Sequence, residues 1–193
     1  MYKRQELPSA STFSRAFTEF AASELPGRMH EALIGRAFED RLVGHIARDA
    51  TAIQGREKAV EPAQPEAPGR KPRRPRRGQG LRRLERQPSM SLAEMLADLP
   101  RHCGVGAKRN AKGYKIAWTG YKLHLDIADG DIPVSCLLTT AALHESQAAI
   151  PLATMTAARV RNLYDLMDSA YDISEIVAYS RALGHVPIIE TNP

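Results

Sequence analysis

The sequence predicts a mixed α/β sheet, preceded by a small helical unit and interrupted by a basic insert. Three observations predict it. In the second half, apolar strand-like runs alternate with a helical repeat, the pattern of a sheet with helices packed on it. Near the start, apolar residues recur at helical spacing. Between these regions, proline and arginine crowd into a stretch suited to neither element. The chain has 193 residues, 43% hydrophobic and 25% charged. That is enough for one domain with an appendage and a buried core. The boundaries read as a helical region over 1–40, a core formed by 41–53 and 91–193, and an insert over 54–90.

Each element has its own justification. Ser9-Ala10-Ser11-Thr12 offers caps, and Phe13, Ala16, Phe17, Phe20 and Ala21 follow on one helical face. Pro26-Gly27 ends that helix and opens the next, with Met29, Leu33 and Phe38 expected inward. The helical pair is read as packing or as a DNA contact. From Arg41 to Ile53 the apolar run reads as a buried strand with Asp49 near its end. Ser91 caps a short helix that Pro100 stops. Tyr121 to Ile127 alternates, Asp129-Gly130 is a hairpin turn, and Ile132 to Leu138 returns. Ser146 to Met155 reads as helix, Val160 to Met167 as a strand delivering Asp168, and Ile173 to Leu183 as an amphipathic helix with Gly184 as its C-cap. His185 to Ile189 is a last strand. Acids thus end two different strands, where ligands of such sheets collect.

Charge is concentrated rather than spread. The net charge is +5. Between Gly69 and Arg86 stand Arg70, Lys71, Arg73, Arg74, Arg76, Arg77, Arg82, Arg83 and Arg86 against the single acid Glu85. Prolines 62, 65, 68, 72, 75 and 88 remove backbone donors, so 54–87 is expected to be extended or disordered. Arg-Lys-Pro-Arg-Arg-Pro-Arg-Arg-Gly resembles an AT-hook, whose arginines enter a narrow minor groove. Its plainer reading is a solvated linker that contacts phosphate without specificity. Both readings make double-stranded DNA the partner, with binding that falls steeply in salt.

Other classes recede. Cys103 and Cys136 are the only cysteines, too few for a disulfide scaffold or a four-cysteine zinc site. His124, His144 and Cys136 have no zinc spacing. No apolar run approaches the ~20 residues of a membrane span, and no h-region follows Met1. Asp126, Asp129 and Asp131 read as solvated turn formers. Asp165 is expected to face away from Asp168. Glu190 ends a strand. Trp118 and Tyr121 read as sheet packing.

Several stretches, taken in order, resemble the DDE transposases of bacterial insertion sequences. They are Pro8 to Arg15, His45 to Ile53, Gly120-Tyr121-Lys122-Leu123-His124, His144-Glu145-Ser146-Gln147, and Leu163 to Asp172. The resemblance implies a ribonuclease-H-like mixed sheet with its first and fourth strands side by side. It implies catalytic, metal-holding roles for Asp49 and Asp168. The family's third acid lies on a later helix that this sequence does not contain, so a truncated transposase is expected. Two-metal phosphoryl transfer needs hard oxygen ligands, so Mg²⁺ or Mn²⁺ is expected to bind weakly and strand transfer by this chain alone is not expected. The implied setting is the bacterial cytoplasm at the nucleoid. The implied partners are transposon ends and, in the full-length protein, a second copy. A sheet lacking its last helix is expected to leave apolar surface uncovered and to aggregate. The alternatives are a non-enzymatic DNA-binding fragment or inhibitor of transposition, and a related metal-dependent nuclease.

Overall fold

Ser9 opens the first helix, its hydroxyl accepting the Thr12 amide at 3.3 Å. The computed structural model describes residues 7–39, 41–60, 81–109 and 113–190. They fall into two units, Met1–Asp40 and Arg41–Pro193. The first unit is a helical pair, α1 (Ala10–Ala22) and α2 (Leu25–Phe38), with Pro26 in the first turn of α2. Sequence spacing puts Met29 and Leu33 inward, yet both are exposed, as are Phe13, Phe17 and Phe20. Ile34 is buried instead. Two short helices have too little surface to enclose an apolar stripe on each.

The second unit is built on one sheet. Strand β1 (Leu42–Gln54) lies between β3 (Lys115–Ala128), antiparallel to it, and β5 (Arg161–Met167), parallel to it. Beyond β3 lies β4 (Ile132–Thr140), antiparallel, and beyond β5 lies β6 (Val186–Ile189), parallel. A short β2 (Gly104–Arg109) pairs the first part of β3. Gly130 and Asp131 both adopt left-handed φ in the β3–β4 turn, which matches the strand twist there. Gly120 allows β1 and β3 their close approach. Its φ is +145°, and an added Cβ would meet the Ile53 carbonyl oxygen.

Helices cover one face. α4 (Leu92–Asp98) starts with a Ser91–Glu94 capping box. A 3-10 turn (Glu145–Ala148) leads into the apolar α5 (Ala149–Ala157). A second 3-10 turn (Ser169–Tyr171) leads into α6 (Ser174–Ala182), which Gly184 ends at φ +86°. Thr156 on α5 and Ser180 on α6 reach side chains of β3 and β5 on this face. Paired strand residues share a face. The opposite face therefore carries Tyr164 beside Val186, and Leu166 beside Ile188. Tyr164, Val186 and Ile188 are 41%, 53% and 50% exposed.

The insert is more ordered at its ends than its composition suggests. Gly55 donates to the Thr119 carbonyl and Val60 to that of Cys103, so the chain follows the sheet past β1. Arg83–Arg86 forms a helical turn, α3, where the sequence predicts an open arm. Leu84 packs against the cluster of Ala149, Met167, Tyr171 and Ile176. Gln87 is fully buried and donates to the Gln147 carbonyl. The reason is local: beyond the proline run, a leucine finds the core and two arginines find Asp98. The bases from Arg70 to Arg77 lie outside the described residues.

Candidate functional site

Asp49 and Asp168 meet because of strand register. Arg48 on β1 is paired with Met167 on the parallel β5, so the next residue along each strand is an aspartate. Asp168 follows the last residue of β5, but Asp49 lies within β1, which runs on for five more residues against β3, and stands beside the point where β5 stops. Both are exposed. Asp49 accepts the Ala50 amide through Oδ1 at 2.7 Å. Asp168 caps the 3-10 turn, accepting the Ala170 amide through Oδ1 at 3.0 Å. The capping role open to such an acid thus coexists with its place beside Asp49. Among the described residues, neither Oδ2 accepts a hydrogen bond.

Directly beneath, on the covered face, charge is fully paired. Arg48 forms a bidentate pair with Asp126, Nε to Oδ1 at 2.8 Å and Nη2 to Oδ2 at 2.7 Å. Thr156 donates to the same Asp126 carboxylate at 2.6 Å. Burial would lower the Arg48 guanidinium, but the charge and hydrogen bonds of Asp126 outweigh it and its pKa stands above the ordinary value. Asp126 corrects the sequence reading. It is no turn residue but a buried acid well inside β3. Asp165 faces away from Asp168, as three-residue spacing on a strand requires. It is buried and accepts from Ser180 at 2.5 Å and Asn162 at 3.0 Å, with the His185 ring at 3.2 Å. Asp129, at the hairpin, takes the Gly44 amide and pairs with His45.

Two further groups stand out among the elements that cover the sheet, and sequence reasoning gave neither a role. Tyr171 closes the turn that Asp168 caps. It is 1% exposed, and its hydroxyl has no hydrogen-bond partner among the described residues. Burial pushes this hydroxyl well above the usual tyrosine value. Glu145 adds to that, Arg48 opposes it, and Asp49 and Asp168 push it up further. Glu145 sits on the 3-10 turn packed against the one that holds Tyr171. Its carboxylate lies 3.8 Å from the Lys122 ammonium, too far for a hydrogen bond. Both residues fall within stretches of the resemblance.

Beside this end is a cleft of about 550 Å³, walled by His144 and Ser146, by Ile173 and Glu175, and by Arg82. Arg82 is exposed there. Arg83 is engaged inside the protein, with Asp98 at 2.7 Å and with Gln147. Asp98 is held below the ordinary carboxylate value, since Arg83 and Arg86 outweigh the opposing effect of burial.

The donor set suits a hard cation in a limited way. Mg²⁺ is commonly bound by one or two carboxylates and keeps several waters. Asp49 and Asp168 supply two carboxylates, each with one oxygen uncommitted. Among the described residues, no three His, Cys, Asp or Glu side chains close into a metal cluster. No described helix is long and apolar enough to cross a membrane. In comparisons with known proteins, the chain matches no family model, no curated protein and no solved structure.

Proposed function

We propose that Arg41–Pro193 is a ribonuclease-H-like core of the DDE transposase type, acting on DNA through a cation held by Asp49 and Asp168. The observation that carries this reading is the register of β1 against β5, which makes the two aspartates neighbours. The strand pattern supports it further. With the short β2 counted as an addition, β1 and β5 are first and fourth in chain order and lie side by side in the spatial order β4-β3-β1-β5-β6, and β3 alone runs antiparallel to both its neighbours. The basic insert supports a DNA partner. Its two described ends are anchored to the sheet beyond β1 and to the helices beside Glu145.

The chain's own groups have definable tasks in this reading. Arg48 and Asp126 lock β1 to β3, so that Asp49 is held at one height. Asp168 is oriented by its cap to Ala170. The Lys and Arg residues from Arg70 to Arg82 contact phosphate, position the duplex and make binding salt-dependent. A bound Mg²⁺ or Mn²⁺ would polarise a phosphoryl oxygen and stabilise the charge that develops there. Strand transfer in that family also uses a third acid, so this reading assigns DNA binding and weak cation binding to the chain. The partners in this reading are transposon ends and a second copy, at the bacterial nucleoid. The second reading, a DNA-binding fragment that inhibits transposition, is favoured by the lack of a closed three-carboxylate cluster among the described residues.

Supercoiled plasmid incubated with the chain and Mn²⁺ tests the proposal. Retention of DNA that weakens steeply with salt, with no robust cleavage, is the expected result. Robust cleavage abolished by Asp49→Ala would show that the site is complete as it stands. Retention of DNA that does not respond to salt would remove the basic insert from the account.

A further inference from the structure

The helical pair carries large apolar side chains on its surface. We propose that α1 and α2 form a dimer interface, in which the Phe13, Phe17 and Phe20 stripe and the Leu25, Met29 and Leu33 stripe of one copy pack against the same stripes of a second copy. This deepens the proposed function by giving the second copy a surface, and it is independent of any cation held by Asp49 and Asp168.

The stripes follow from sequence spacing. Phe13, Phe17 and Phe20 recur at i, i+4 and i+7 on α1, and Leu25, Met29 and Leu33 at i, i+4 and i+8 on α2. Each set therefore lies on one helical face. All six side chains are between 40% and 70% exposed. Ile34 alone is buried among the described residues of the two helices. Ser23 and Glu24 are all that separates α1 from α2, a connection of the length that joins helices into a hairpin. A hairpin this small cannot enclose both stripes by itself.

The exposed area matches what a dimer needs. An enclosed phenylalanine buries ~150–250 Å², so three that are about half exposed offer about 300 Å². The leucines and the methionine add about 150 Å². Since about 60% of an interface is apolar, these side chains correspond to about 750 Å² per partner. That is close to the ~800 Å² of a standard interface. Charge favours the same occupant. From Ala10 to Glu39 the chain carries Arg15, Arg28 and Arg36 against Glu19, Glu24, Glu31 and Glu39. Two copies therefore meet without a like-charge barrier. So balanced a surface offers no basic face to a phosphate backbone and no run of cations to an anionic membrane. A patch packed on its own copy closes as a two-fold pair. Two such hairpins place four helices around one apolar centre.

Sedimentation velocity of the full chain over a range of concentrations tests this. The expected result is a monomer–dimer equilibrium at micromolar concentration. Phe17→Glu is expected to weaken it by about thirtyfold or more, as loss of an aromatic anchor does, and Leu33→Glu to act in the same direction. Ile188→Lys, on the open face of the sheet, is expected to leave it unchanged. A chain that stays monomeric at every concentration overturns the inference. So does a dimer that Ile188→Lys breaks and Phe17→Glu spares, or open-ended association that Phe17→Glu does not relieve. A second measurement needs no variant. Amide hydrogen exchange across α1 and α2 should slow as the chain concentration rises. Exchange there that ignores concentration overturns the interface even if Phe17→Glu fails to fold. The monomeric Phe17→Glu chain is expected to retain supercoiled plasmid in a salt-dependent way. A Phe17-dependent dimer that retains no DNA would sink the proposed function and leave this interface standing.

Discussion

Asp126 and Asp165 differ from Asp49 and Asp168 in everything except residue type. The first two are buried on the covered face, and every polar neighbour is turned toward them: Arg48 and Thr156 for one, Ser180, Asn162 and His185 for the other. The second two stand exposed where β5 stops against β1, each with one oxygen on a backbone amide and one uncommitted. Arg48 and Asp49 are consecutive, yet they belong to opposite sides of this contrast. A buried charge without a partner is too costly to survive, so buried acids carry structure. Acids that share a solvent-facing end repel one another and add little to stability, so their placement points to binding.

The comparison can be broken most forcefully at Asp126. Asp126→Ala strands the Arg48 guanidinium in the core and should cost about 3–5 kcal/mol in urea unfolding. Replacing both partners by apolar residues, Arg48→Met with Asp126→Leu, should recover most of that loss. A single-variant cost below about 1 kcal/mol would mean that the pair does not hold β1 to β3.

Acid probes the same face. His124 is buried, with Nε2 2.9 Å from the Thr139 hydroxyl, and burial, helped by the Lys122 charge, lowers its pKa from 6.5 to about 4. The unfolded chain therefore takes up the proton first. Stability is full above pH 6.5 and falls as the pH drops toward 4, by about 3 kcal/mol in all if the shift is fully expressed. His124→Gln should flatten this slope in melting curves recorded between those values. An unchanged slope would place the acid sensitivity elsewhere.

Asp165→Asn sharpens the contrast by removing charge without shape. It weakens the bonds from Ser180 and Asn162 and should cost about 1.5–3 kcal/mol, the range for hydrogen bonds to a charged group. The smallest effect is expected where the binding argument is strongest. Asp49→Asn and Asp168→Asn should change stability by no more than about 0.5 kcal/mol, as exposed substitutions do, while abolishing Mn²⁺ uptake. A large loss of stability in either would move that residue into the structural class.

Much of the fold was legible in the sequence because local rules act locally. Ser9 and Ser91 marked helix starts, Asp129-Gly130 marked a hairpin, and Gly184 marked a helix end. Periods of two and near four separated strand from helix in the second half. The site was legible in part. Asp49 and Asp168 were picked out as acids at strand ends, and the family resemblance paired them. Asp126 misled, since an acid three residues before a hairpin turn looks the same in sequence whether or not an arginine waits on the next strand. Arg83 misled in the same way, reading as one base in a basic run until Asp98 and Gln147 close on it. Glu145 and Tyr171 carried no local signal at all.

By itself the sequence determined where most of the helices, strands and turns lie, though neither β2 nor α3, and where positive charge collects, because those depend on neighbours along the chain. Which acids were buried and paired, and which were left at an open end with oxygens to offer, only the tertiary structure decided. Burial and partnership depend on what the other strands and helices bring from 78 or 119 residues away, as Asp126 and Met167 are brought to Arg48.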